Sequence, residues 1–324
     1  MLAAAAIAAT GAAQGQSTWK PARNVELVAA SAPGGGSDNL ARLVHKTLQE
    51  QKIIDVPMTV INKPASGGVV AWGGLNQNPM DGHHLAISTA NLLTNHITGR
   101  TAMHYSDVTA VAQLFSESVG IAVRAESPIR NGRDLAALLK ADAGNVSAAI
   151  GTSLGNPGHI TLALVTQAAG GDSKRLKAVV FQSVSQGISA LLGGHVDVVA
   201  SPASNLAAQH IAGRIRIIGL SAEQRYSGAL AQVPTWREQG INVVIDNLRG
   251  IIGPKAMSAA QTAYWESALA RVVRTAEWKA HLEKNQWTDS FTGAEGSRKA
   301  LAEQHEEMRA GLAALGMVKQ SDTK

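Results

Sequence analysis

Three successive glycines, Gly34, Gly35 and Gly36, followed by Ser37 and Asp38, separate an apolar run from a helical pattern in VAASAPGGGSDNLARLV (residues 28–44). Glycine reaches backbone angles that other residues avoid and leaves the main chain open to close approach. A helix start adds unpaired N–H groups and a partial positive charge. Together these residues make a candidate anion cradle, with Ser37 or Asp38 as the helix cap. The plainer alternative is a glycine turn capped by Asp38. A P-loop is excluded, because no Gly-Lys-Ser/Thr follows. Gly34 and Gly36 match the first two glycines of a dinucleotide fingerprint, but Asn39 stands where the third belongs.

A second loop of this kind occurs in IGTSLGNPGHITLALV (150–165). GTSLG fits the G-x-S-x-G nucleophile elbow, with Ser153 as nucleophile, Asp197 as acid and His210 or His281 as base in the correct chain order. No glycine-rich oxyanion segment lies at the expected distance before it, so a secreted serine hydrolase is the alternative function. His159, in the first turn of the following helix, can donate to a carboxylate or simply open the helix. His83, His84, His96 and His104 crowd one region, but the adjacent pair points to opposite sides of an extended chain, and no metal site is expected. Arg249 sits inside the apolar stretch VVIDNLRGIIG and requires a partner. Asp246 is the internal candidate. A ligand carboxylate gripped by the planar guanidinium is the functional one.

Both loops need strands and helices to hold them. VELVAA (25–30), MTVIN (58–62), LAIST (85–89), VSAAI (146–150), KAVVF (177–181), VDVVAS (196–201) and RIIGL (216–220) read as buried strands, with helical patterns between them. That alternation predicts parallel sheets covered by helices. AVAQLFS and VGIAVRAES, after Asp107, read as two strands crossing between domains. The tail from Ala259 to Leu315 reads as helical. Each glycine loop follows a strand's C-terminal end, where α/β sheets bind ligands. Two such loops in two domains predict a two-jawed anion binder.

The chain has 324 residues, 45% of them hydrophobic, enough for about two domains. Cysteine is absent, which excludes disulfides, thiolate metal sites and cysteine nucleophiles. The formal charge of +5 is spread without Lys/Arg blocks, and aromatics make up only 4%. This suits a small anionic ligand and argues against a nucleic-acid partner. MLAAAAIAATGAA (1–13) reads as the apolar core and cleavage end of a secretory signal. It lacks a basic n-region, so the leader is expected to begin upstream.

PGGGSDNLARL, VINKPASGG, PMDGHHLAIST, GNPGH, ALLGGHVDVV, VPTWREQG and RGIIGP occur in this order between about Val25 and Leu315. In these segments the chain resembles the extracytoplasmic receptors of the tripartite tricarboxylate transporter family, also called Bug-type receptors. The resemblance implies an α/β, type II periplasmic-binding fold: two lobes joined by crossing strands, with a ligand cleft between them. It implies capture of a small tri-, di- or aromatic carboxylate without catalysis or cofactor, and delivery to membrane permease subunits by an exported, monomeric, periplasmic protein. Carried over by position, the ligand-facing residues are Ala32, Pro33, Gly34, Gly35, Gly36, Ser37 and Asp38 in the first loop. Ser88 and Thr89 follow, then Gly151, Thr152, Asn156 and His159 in the second lobe, with Arg249 as a further candidate. Phe181, Gln182 and Ser183 replace the aromatic-Lys-Gly of many relatives. The expected lobes are 19–107 plus 224–324, and 108–223.

Overall fold

The computed structural model describes residues 19–151 and 153–319. The expected signal segment and Thr152 lie outside them. The chain alternates β1 (Val25–Ala29), α1 (Gly36–Glu50), β2 (Met58–Asn62), α2 (Val69–Leu75), β3 (His84–Ser88) and α3 (Asn91–Ile97). It then runs through β4 (Thr109–Arg124), α4 (Gly132–Asp142), β5 (Ser147–Gly151), α5 (Pro157–Ala168), β6 (Lys177–Phe181), α6 (Val184–Leu192), β7 (Val198–Pro202), α7 (Ala203–Ile211) and β8 (Ile215–Leu220). β9 (Asp246–Gly253), α8 (Ala259–Val272), α9 (Ala276–Asn285), β10 (Thr288–Thr292) and α10 (Ala294–Ala314) complete it.

The strands form one sheet in the order β2-β1-β3-β9-β4-β7-β5-β6, with β8 and β10 also paired to β4. β1 is parallel to β2 and β3, and β5 is parallel to β6 and β7. β4 joins the two parallel halves. Its first part pairs β9 and β10, and its second part pairs β7 and β8. The two strands expected after Asp107 are thus one strand of 16 residues. Ser116, Glu117 and Ser118 do not break it, because each is buried there and Glu117 and Ser118 find hydrogen-bond partners.

Apolar faces explain the layers. Leu40, Ala41, Val44 and Leu48 of α1 repeat at helical spacing and pack with Leu27, Ile87, Phe115, Trp265 and Trp278 over the first half. Ile121, Ile150, Ile160 and Leu162 form a core on one side of the second half, and Leu206, Ile217 and Leu191 form one on the other. Trp236, Ile241 and Val243 join the former, and Leu230 and Val233 the latter. α8 and α9 pack on the first half through Trp265, Leu269 and Trp278. Leu301, Met308 and Leu312 of α10 pack with Leu93 and Ile97 of α3 and Ile160 of α5, so this helix touches both halves. The tail is not helical throughout. Trp287 stacks on Phe115 at 3.9 Å between ring centroids, and this contact draws Thr288–Thr292 onto β4 as an edge strand.

Candidate functional site

Strand register places the loops. Ser88, the last residue of β3, is opposite Gly250, which is opposite Gln113 of β4. Pro202, the last residue of β7, is opposite Val119 of the same strand. β3 runs along β4 toward this stretch and β7 runs against it. The C-terminal ends of both parallel halves therefore converge, from opposite directions, on residues 113–119, the polar middle of β4. The glycine loops rise from those ends.

In the first loop, Ala32, Pro33, Gly34 and Gly36 are exposed, while Ser37 and Asp38 are buried at the start of α1. The helix cap is not Ser37 or Asp38. Gly35 holds that position in extended conformation, with no side-chain cap bond, and Asp38 lies three residues inside. Asp38 instead ties the loop together. Its carboxylate accepts from the Gly34 amide (2.8 Å), Arg42 Nε (3.0 Å) and Asn62 Nδ2 (2.8 Å). Burial pushes its carboxyl up, but the hydrogen bonds from Arg42, Gly34 and Asn62 outweigh this and hold it below the ordinary value. Gly34 has φ of +79°, where a side chain is strained, and a Cβ on Gly35 would lie 2.7 Å from Ser31 Oγ. A Cβ on Gly36 meets nothing within 4 Å. Among the described residues, the Gly36 and Ser37 amides have no protein acceptor, as the geometry of a helix's first turn dictates.

The second loop is built alike. Gly155 is left-handed, with φ of +76°, and its amide donates to His159 Nδ1 at 3.0 Å. Asn156 caps α5 by accepting the His159 amide (2.9 Å), and its Nδ2 donates to the Gly151 carbonyl. Gly151 packs so closely on Val184 that a Cβ would lie 2.7 Å from its Cγ2. His159 is 4% exposed. Burial pulls its pKa down to about 4, so the imidazole is neutral at ordinary pH. Nδ1 accepts, so the proton resides on Nε2.

Ser88 is buried at the meeting point, and Thr89 accepts the Asn91 amide at the start of α3. Arg249 is not paired with Asp246. It donates to Glu117 Oε1 at 2.8 Å and to Asn247 Oδ1 at 3.2 Å. Side chains alternate along a strand, so Asp246 and Arg249, three apart on β9, emerge on opposite faces. Glu117 also accepts from Asn247 (3.1 Å) and, through Oε2, from Ser204 at the start of α7 (3.0 Å). One buried carboxylate on the shared strand therefore binds β9 and a helix of the other half.

Sequence reasoning gave no site role to Asn62, Glu117, Ser204 or the loop after β2. Ser66, Gly67 and Gly68 are all left-handed there, and the Gly67 carbonyl accepts from Asn91 and Asn95. Glu117 carried a signal: a lone acid in a long apolar run needs a partner, the argument applied to Arg249.

The hydrolase alternative is overturned. Asp197 accepts from the Ser147 amide (2.8 Å) and hydroxyl (2.6 Å) at the start of β5, whereas Ser153 follows the end of that strand. His210 ends α7, and His281 lies in α9 on the first half. Ser153, Asp197 and either histidine are therefore not placed together as a triad. His83 pairs with Asp81 (2.7 Å) and His84 with Glu26 (3.2 Å). Among the described residues no three His, Asp or Glu side chains are placed to share a metal ion, and no helix is long and apolar enough to cross a membrane.

The family described as tripartite tricarboxylate transporter family receptor matches residues 40–316. The chain is similar to the UPF0065 protein in the gbd 5′ region of Cupriavidus necator, with 27% identity over 98% of this chain and 96% of that one. Among solved structures it is similar to R. palustris Rpa4515 with adipate (20% identity, 92% of this chain and 99% of that chain, TM-score 0.80). It is also similar to MatC (Rpa3494) from Rhodopseudomonas palustris with bound malate (20% identity, 93% and 100%, TM-score 0.73). These likenesses assign the fold: the two-lobed α/β fold of periplasmic solute-binding proteins.

Proposed function

Since the chain belongs to the tripartite tricarboxylate transporter receptor family, we propose that this solute-binding protein is exported, captures a small organic carboxylate between its lobes and passes it to membrane permease subunits. The observation that carries the reading is the first loop, where the Gly36 and Ser37 amides, free of protein acceptors among the described residues, open the N-terminus of a 15-residue helix at the meeting of the two halves. Two similar structures hold dicarboxylates, adipate and malate.

The first lobe comprises residues 19–107 with β9, α8, α9 and β10. The second takes in the later part of β4 and everything to about residue 245, because residues 230–243 pack on its core. α10 lies across both. Ala32, Pro33, Gly34, Gly35, Gly36, Ser37 and Ser88 meet the ligand from the first lobe. Gly151 and Asn156 shape the opposing wall, and Arg249 lies at its floor, its charge shared with Glu117. The protein acts as a monomer, and closure is a hinge motion about the shared strand.

Micromolar capture needs about 8 kcal/mol. Several hydrogen bonds to a charged ligand at roughly 1.5–3 kcal/mol each supply it, after ordering costs. A thermal-shift screen with adipate, malate, citrate and benzoate, followed by calorimetry, tests the reading. At least one acid is expected to raise Tm in a saturable manner. No shift with any of them at millimolar concentration rejects carboxylate capture.

A further inference from the structure

The two ligand-facing loops share one construction that their sequences, PGGGSD and GNPGH, do not display. In each, the residue two before the helix is a glycine in left-handed conformation, Gly34 or Gly155. In each, its amide donates to the side chain four residues on, the third residue of the helix. The acceptor is a carboxylate in the first loop and an imidazole nitrogen in the second. We propose that His159 is a positioning residue of the binding site: an uncharged acceptor that holds the second loop in shape as Asp38 holds the first.

The choice of residue supports a role beyond starting a helix. An acid is favoured in a helix's first turn and a cation is not, so Asp or Glu would serve α5 better than His. Asp38 can be an acid because Arg42 and Asn62 share its charge. Among the described residues, no side chain donates to residue 159 in this way. Arg100 reaches the second loop, but at the Leu154 carbonyl (3.4 Å) and not at residue 159. An acid at 159 would stand uncompensated on the wall facing an anionic ligand. A neutral imidazole makes the same hydrogen bond without that charge, and its burial keeps it neutral. The shape of the loop matters to both halves, because a Cβ on Gly155 would meet Leu312 of α10 (3.0 Å), Met317 and Thr98 near the end of α3.

The first loop shows that an Asx side chain reaches the amide across this spacing, which makes His159→Asn and His159→Asp near-isosteric tests of acceptor and charge. His159→Leu removes the acceptor. Amide exchange at Gly155, followed by NMR without ligand, reads the positioning. Calorimetry with adipate and malate reads the charge, and this arm alone rests on the carboxylate reading. His159→Leu is expected to lose Gly155 protection and His159→Asn to keep it. His159→Asp should also keep protection while weakening the bound acid more than about tenfold relative to His159→Asn. Wild-type protection of Gly155 in folded His159→Leu overturns the positioning role. Equal affinity in the Asn and Asp variants overturns the reason for a neutral residue. If the wild-type protein binds neither acid, the carboxylate reading falls, and the exchange experiment still decides the assignment of His159.

Discussion

Gly35 and Gly36 are neighbours with different reasons to be glycine, and substitution separates them. A Cβ on Gly35 runs into Ser31 at 2.7–2.8 Å, so Gly35→Val distorts the loop itself. Gly36 faces open space. Gly36→Val should therefore leave Tm within a few degrees of wild type and abolish carboxylate binding by blocking approach to the first-turn amides. Calorimetry on Gly36→Val with wild-type affinity would place the anion elsewhere. Asp38→Ala releases Gly34, Arg42 and Asn62 together. Its cost should reach about 1–3 kcal/mol, because three hydrogen bonds to a buried charged group are lost together, and exceed that of a simple cap. Urea denaturation measures it. His159 adds a pH dependence with a definite sign. Its pKa falls from 6.5 unfolded to about 4 folded. Between these values the unfolded chain binds more protons, so stability is lost as pH falls from 6.5 toward 4, by about 3 kcal/mol in total. Below about 4 this contribution stays constant. His159→Asn should flatten that part of the Tm–pH curve, and an unchanged slope would mean that another group dominates.

β4 carries the largest single consequence of packing. It takes Glu117 to 5% exposure and obliges the fold to surround that carboxylate with Arg249, Asn247 and Ser204. Breaking a buried pair by removing one partner costs about 3–5 kcal/mol, because the other charge stays buried. Arg249→Met should therefore lower stability on that order even without ligand, and Glu117→Gln in the same chain should recover part of the loss. Chemical denaturation of the two single variants and the double variant checks the coupling. Additive losses would show that Glu117 and Arg249 do not depend on each other.

The two parallel halves meet on a strand they share, so the hinge closure proposed above would bend residues 113–119 and the facing part of β9. Binding of a carboxylate should then contract the molecule. Small-angle scattering is expected to show a smaller radius of gyration with saturating ligand, and an unchanged radius would indicate binding to an already closed form. α10 touches both halves through Leu301, Met308 and Leu312. It would limit the proposed motion, because it packs on both α3 and α5 and would have to slide over one of them.

Local patterns were enough for most elements. β2 and β6 lie where the apolar runs MTVIN and KAVVF put them, but as the two ends of the strand order they are only partly buried; the other strands of both parallel halves likewise follow from short apolar runs between helical periods. The two glycine loops were legible for the same reason, since a turn's backbone demands act within a few residues. Partners distant in sequence were not. Arg249 plainly needed an acid, but Glu117 lies 132 positions away, and only strand register brings it closer than Asp246. The strand at Thr288–Thr292 was hidden in a helical tail because its determinant, Trp287 against Phe115, is a tertiary contact. Asp38 was read as a cap because sequence shows that an acid stands near a helix start. It does not show which amide the acid reaches. Gly34 becomes its partner only when the loop takes its left-handed turn, and Asn62 only when β1 and β2 lie side by side; the likeness of Asp38 to His159 exists only in the shape of the two finished loops.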